Sequence, residues 1–200
     1  MKQITITRSS NGTVVFETVS IDATENVFFT NLDPQAEHWP DIASNKLGAA
    51  PSANSSQCTV PPPPTGQTSA VVTYKCKIDG HQNEQGTINV FIPLAAKNTT
   101  LAAATVGQAI AAQQVVAGGM APYDLSGQVF QVLNSSKQVI QSGSGIGPGL
   151  QLNAGTSAQG ITVTGTPRVV GTYIFTFTVN DAMGRNQQQV QYSMAVNAAS

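Results

Sequence analysis

The chain has 200 residues with nine basic and ten acidic side chains, a net charge of −1 and a charged fraction of 10%, against about 25% in an average soluble domain. Charges so few and scattered form no basic stripe to neutralise phosphates, which argues against nucleic-acid binding, and no apolar run approaches the roughly 20 residues that span a bilayer. Abundant Gly, Thr, Ser, Asn, Gln and Val suit short strands and many turns, in a composition that fits an exported protein (secreted, periplasmic or cell-surface) better than a cytosolic enzyme.

Strand-like alternation begins at once in QITITR (3–8), with no apolar leader ahead of it. After the turn signal Ser10-Asn11-Gly12, TVVFETVSI (13–21) reads as a second strand. NVFFTNL (26–32) is apolar and aromatic and predicts a buried strand. Residues 33–69 are polar and carry Pro34, Pro40, Pro51 and the run 61–64; four consecutive prolines favour an extended polyproline conformation and cannot sit in a central strand. SAVVTYKC (69–76) and GTINVFI (86–92) are the last strands of this half, and Pro93 to Thr100 reads as a linker.

The Ala-rich stretch 101–119 resembles a helix in composition, but recurring Val, Ile and Thr and the interruptions at Gly107 and Gly118-Gly119 predict strands. Further strands follow at 128–134, 161–165, 171–181 and 187–196. In the third of these, Tyr173, Phe175, Phe177 and Val179 alternate with Ile174, Thr176 and Thr178, a period of two with one aromatic face. The whole reads as all-β, with two β-sandwich domains at 1–95 and 96–200. Four Asn-x-Ser/Thr sequons, at Asn11, Asn54, Asn98 and Asn134, are ordinary in so polar a chain.

The chain holds two cysteines and two histidines, and all of them precede residue 94. Cys76 and His81 share the loop YKCKIDGHQNEQG (74–86), and His38 lies far upstream. A thiolate with two imidazoles and a weak axial donor is the ligand set of a type 1 copper site; one thiolate and one imidazole come from a single inter-strand loop, the second imidazole from elsewhere in the sandwich. Zinc accepts the same ligand types and would bring no redox chemistry. A Cys58–Cys76 disulfide would remove the thiolate and leave a non-redox surface or adhesion module. A Cys76/His81 catalytic dyad is a weak reading, because nothing resembles an activating third group or an oxyanion loop, and no enzymatic activity is expected.

At NVFFTNLDPQAEH and VTYKCKIDGHQNEQGTINVFI the chain resembles the cupredoxin family over residues 1–93. The resemblance implies a Greek-key sandwich, electron transfer with a redox protein partner, copper as cofactor, and His38, Cys76 and His81 as equatorial ligands. The family usually has Met on the axis; here spacing offers Gln85 or Glu84, with Gln85 preferred, and Glu37, next to His38, is a further oxygen donor. Either oxygen favours Cu(II) over Cu(I) and lowers the reduction potential.

In the second half, Pro148-Gly149-Leu150 with Leu152, Gly165-Thr166-Pro167, Gly171-Thr172-Tyr173 and the turn from Val179-Asn180-Asp181 to Gly184 resemble the bacterial putative Ig domain family, with cadherin-like relatives, over residues 99–196. This resemblance implies a surface or secreted protein with a spacer or adhesion role and cell-surface or protein association. Asp124, Asn180 and Asp181 are few and dispersed for a calcium cage.

Overall fold

The computed structural model describes residues 1–51 and 55–199, apart from the side chains of Gln187 and Gln188; the sequon at Asn54 lies outside them. The described chain is all-β, with no helix long and apolar enough to cross a membrane. It divides into two compact units, Met1–Ile92 and Pro93–Ser200.

The first unit is built of β1 (Lys2–Arg8), β2 (Val14–Phe16), β3 (Val19–Asp22), β4 (Val27–Asn31), β5 (Ser55–Cys58), β6 (Ser69–Lys75) and β7 (Gln85–Phe91). These form two sheets, β2-β1-β4-β5 and β3-β7-β6. The pairs β1–β4 and β3–β7 are parallel; the remaining neighbours run antiparallel. Alternation drives the packing: Ile4 and Ile6 of β1, Val27 and Phe29 of β4, and Ile88 and Val90 of β7 are fully buried, because successive strand residues point to opposite faces.

The run 13–21, expected as one strand, divides between the two sheets. The chain leaves one sheet after Phe16 and enters the other at Val19. Glu17 fastens the corner, its carboxylate accepting from Thr5 N (3.1 Å) and Thr5 Oγ1 (3.0 Å) and its carbonyl from the Tyr74 hydroxyl (2.9 Å). The short polar strand β5, Ser-Ser-Gln-Cys, arises inside the polar, proline-bearing segment 33–69. It pairs with β4 by backbone alone and buries only alternate residues, Ser56 and Cys58.

The second unit contains β8 (Ala95–Ala96), β9 (Ala104–Thr105), β10 (Ile110–Ala117), β11 (Asp124–Leu133), β12 (Val139–Ser144), β13 (Leu150–Ala154), β14 (Ile161–Gly165), β15 (Gly171–Asn180) and β16 (Asn186–Asn197). Its sheets are ordered β13-β14-β10-β8 and β12-β11-β15-β16-β9. The segment expected as a linker supplies β8, which pairs with β10, and Thr100 bridges to Ser193. The Ala-rich stretch is strand, as its Val, Ile and Gly content predicts. Tyr173, Phe175, Phe177 and Val179 all face the core, and the rings of Phe175 and Phe177 lie 5.5 and 5.1 Å from that of Tyr192. The Tyr192 hydroxyl donates to Val115 O at 2.9 Å, so this buried polar tip is satisfied.

Asp181 closes the β15–β16 turn. It accepts from the backbone N–H groups of Met120, Met183 and Arg185 and from the Arg185 guanidinium. Burial works to raise its pKa, and the Arg185 and backbone bonds outweigh that and hold it low. Its oxygens are committed to the turn, and Asp124 sits exposed opposite Asn180.

Candidate metal centre

His38 is delivered by the loop that follows β4. Asn31 shapes this loop, its Oδ1 accepting from Asp33 N (2.9 Å) and its Nδ2 donating to Ala36 O (2.8 Å) and Gly48 O (2.9 Å). Two backbone bonds with Leu47, 3.0 and 2.8 Å long, then pin His38. Its side chain is fully buried.

Cys76 follows the last residue of β6. Its N–H donates to Glu84 O at 2.9 Å, and its Sγ accepts from Trp39 N at 3.3 Å. Lys77 N donates to Trp39 O at 2.8 Å, so the residue after His38 is laced on both sides to the residues around Cys76.

The loop from Cys76 to β7 makes two tight turns in succession, with His81 N donating to Ile78 O (3.0 Å) and Glu84 N to His81 O (2.9 Å). Gly80 lies within the first of them at φ +85 with open space around it. Glycine is needed there for its backbone conformation and not for room. The turns set His81 and Glu84 on the same side of the loop.

His38, Cys76, His81 and Glu84 each present one donor atom to a common point, all four atoms lying within 4.8 Å of one another. Oε2 of Glu84 is 2.9 Å from Nδ1 of His38 and 3.1 Å from Nδ1 of His81. None of these three atoms has a hydrogen-bond partner, and each is buried. A buried donor or acceptor without a partner costs about 1–3 kcal/mol; these three converge on one point, where a single partner would satisfy them all. A cation answers this: bonds of about 2.0–2.3 Å to N, O and S hold four donors around one ion at comparable separations. The residues present therefore fit copper or zinc.

Gln85, the preferred axial candidate on spacing, does not join them. It pairs with Lys75 across the β6–β7 ladder, and both side chains are exposed. Strand parity decides this, because Gly86 must turn inward against Tyr74. Glu37 also lies outside, half-exposed and paired with Lys46 at 2.6 Å. Cys58 and Cys76 are both free and buried, so the disulfide alternative is not formed.

Two residues at the site went unread in the sequence. Asp33, fully buried, accepts from His38 Nε2 at 2.9 Å, from Arg8 Nε at 3.0 Å and Nη2 at 2.7 Å, and from Gln35 N at 2.9 Å. Burial pushes this carboxyl up, but the Arg8 and His38 side chains and the Gln35 N–H more than offset it and hold the carboxyl far below the usual carboxylate range. In the sequence, Asp33 reads only as a turn residue before Pro34, and Arg8 stands 25 positions away.

No family model and no curated protein matches this sequence. Among solved structures, the chain is similar to titin Ig tandem domains (8% identity, TM-score 0.37, covering 91% of this chain and 93% of that one). It is similar to CopC from Methylosinus trichosporium OB3b (16%, 0.28, 53% and 88%). A third likeness is to an endo-fucoidan hydrolase of glycoside hydrolase family 107 (12%, 0.37), where 92% of this chain covers 28% of that one. At such scores these likenesses carry no argument about activity.

Proposed function

We propose that the chain is an exported copper-binding electron-transfer protein, its first unit of cupredoxin type and its second an Ig-like unit for surface or protein association. His38, Cys76, His81 and Glu84 would hold the metal. The observation that carries this reading is the convergence of three buried, unpartnered atoms, Nδ1 of His38, Nδ1 of His81 and Oε2 of Glu84, on the thiol of Cys76.

Copper bound there would supply a one-electron couple between Cu(II) and Cu(I). The chain's part is to hold the donors still. His38 and Cys76 are fixed from loops laced together by backbone bonds, so little rearrangement would accompany a change of charge. Thiolate and carboxylate together bring two negative charges, which match a divalent ion and hold the potential low. His81 is the most exposed of the four donors, its side chain 25% exposed against 19% for Glu84, and a redox protein partner would approach there. The reading is of a carrier and not of an enzyme.

Titration of the metal-free protein with Cu(II) tests this. One equivalent should bring up a thiolate-to-copper absorption band. The hard Glu84 oxygen also suits zinc, so competition with Zn(II) decides which ion the site retains; a site that keeps Zn(II) in the presence of excess copper would be structural instead of redox-active.

A further inference from the structure

We propose that Asp33, clamped by Arg8, is a positioning residue that keeps Nδ1 of His38 free of a proton and aimed at the metal. This rests on the metal-binding reading of the site.

Each carboxylate oxygen of Asp33 faces two donors. Oδ1 accepts from Arg8 Nε and the backbone N–H of Gln35; Oδ2 accepts from Arg8 Nη2 and meets His38 Nε2. An Arg-paired carboxylate has no proton to give. The hydrogen between Oδ2 and Nε2 must therefore sit on the histidine. A neutral imidazole with its proton on Nε2 has a lone pair on Nδ1, and Nδ1 is the atom that lies 2.9 Å from Glu84 Oε2 without a hydrogen bond. Without the clamp, a neutral His38 divides between tautomers, and one of them places a proton where the metal must bind. The Arg8 charge also balances that of Asp33, so the clamp adds no net charge to the donor set.

The near-isosteric change Asp33→Asn makes the argument sharp. The new amide NH2 must replace one of the two oxygens. At the Oδ1 position it would confront the Gln35 backbone N–H, which cannot move away. At the Oδ2 position it meets an Arg8 side chain that is partly exposed and can swing out, and a histidine that can switch tautomer. The amide therefore settles against His38 and donates to Nε2, and the proton moves to Nδ1.

The test is long-range 1H–15N NMR of the 15N-labelled, metal-free full chain, followed by Zn(II) titration with a competing chelator. Wild type should show His38 with its proton on Nε2. Asp33→Asn should show the proton on Nδ1 and bind Zn(II) about 10–100-fold more weakly, the usual cost of losing such a partner. A folded Asp33→Asn protein that keeps the Nε2 proton and full affinity overturns the proposal. Wild-type His38 with its proton on Nδ1 overturns it as well, even if the variant does not fold. A tautomer that switches as described while neither protein binds Zn(II) supports the clamp and overturns the metal reading alone.

Discussion

Nδ1 of His38 and Oε2 of Glu84 approach to 2.9 Å, both buried, with no hydrogen bond between them. A cation bound between the two atoms would relieve the repulsion of their lone pairs. The contact joins a loop after β4 to the turn before β7, and on the proposed reading Glu84 is the fourth donor.

Glu84→Gln should keep the shape of this donor and remove its charge. The expected outcome is Zn(II) affinity at least about tenfold weaker, the equivalent of ~1.4 kcal/mol, with a raised copper reduction potential. Gln85→Ala should change neither, since Gln85 lies on the exposed face opposite Lys75. Chelator competition and voltammetry read both variants; weakening by Gln85→Ala equal to that by Glu84→Gln would return the axial role to Gln85.

The two cysteines should separate in chemistry. Both are free, so denatured protein should titrate two thiols. Cys76→Ser should abolish any thiolate-to-metal absorption, and Cys58→Ala should leave it intact. In the native metal-free protein Cys58 should react slowly with thiol reagents near neutral pH, because burial pushes its thiol up to about 11.

That same shift fixes the sign of an alkaline effect. The folded thiol resists ionisation, whereas an unfolded one loses its proton near the ordinary value of 9.0. The stability it contributes is complete below about pH 9 and is lost as pH rises from there through about 11. Denaturant melts of the first unit's signal should hold their midpoint up to about pH 9 and fall beyond it. Cys58→Ala should flatten the fall between these limits; an unchanged slope would contradict the assignment.

Gly86 is the tightest backbone position near the site. A Cβ there would run into the hydroxyl and ring of Tyr74 and come within 2.9 Å of Phe16 Cβ. Gly86→Ala should cost about 1–3 kcal/mol, read as a lower Tm. Gly80→Ala meets no atoms and should cost about 1–2 kcal/mol through its left-handed backbone alone. A Gly86→Ala protein as stable as wild type would mean that Tyr74 can be displaced freely from beside Glu17.

Strands with a strict period of two were legible in the sequence, as at Gln3–Arg8 and in the aromatic run of β15. The strands β5 and β12 were not. Ser-Ser-Gln-Cys is polar, and every residue of β12 is exposed, so backbone pairing holds them and leaves no hydrophobic signature. The split of 13–21 between sheets was hidden because both pieces alternate alike. His38, Cys76 and His81 stood out because so few residues of those types exist in the chain. The choice between Glu84 and Gln85 needed the register of β7, which a count along the chain does not provide. Arg8 and Asp33 were illegible because their contact exists only once β1 and β4 lie side by side.

The central claim is tested most directly by adding one equivalent of Cu(II) to metal-free protein and recording visible absorption and EPR beside the Cys76→Ser variant. The account predicts a thiolate-to-copper band and a single Cu(II) signal in wild type, with the band absent from the variant. A colourless wild-type protein whose spectra match those of Cys76→Ser would contradict it.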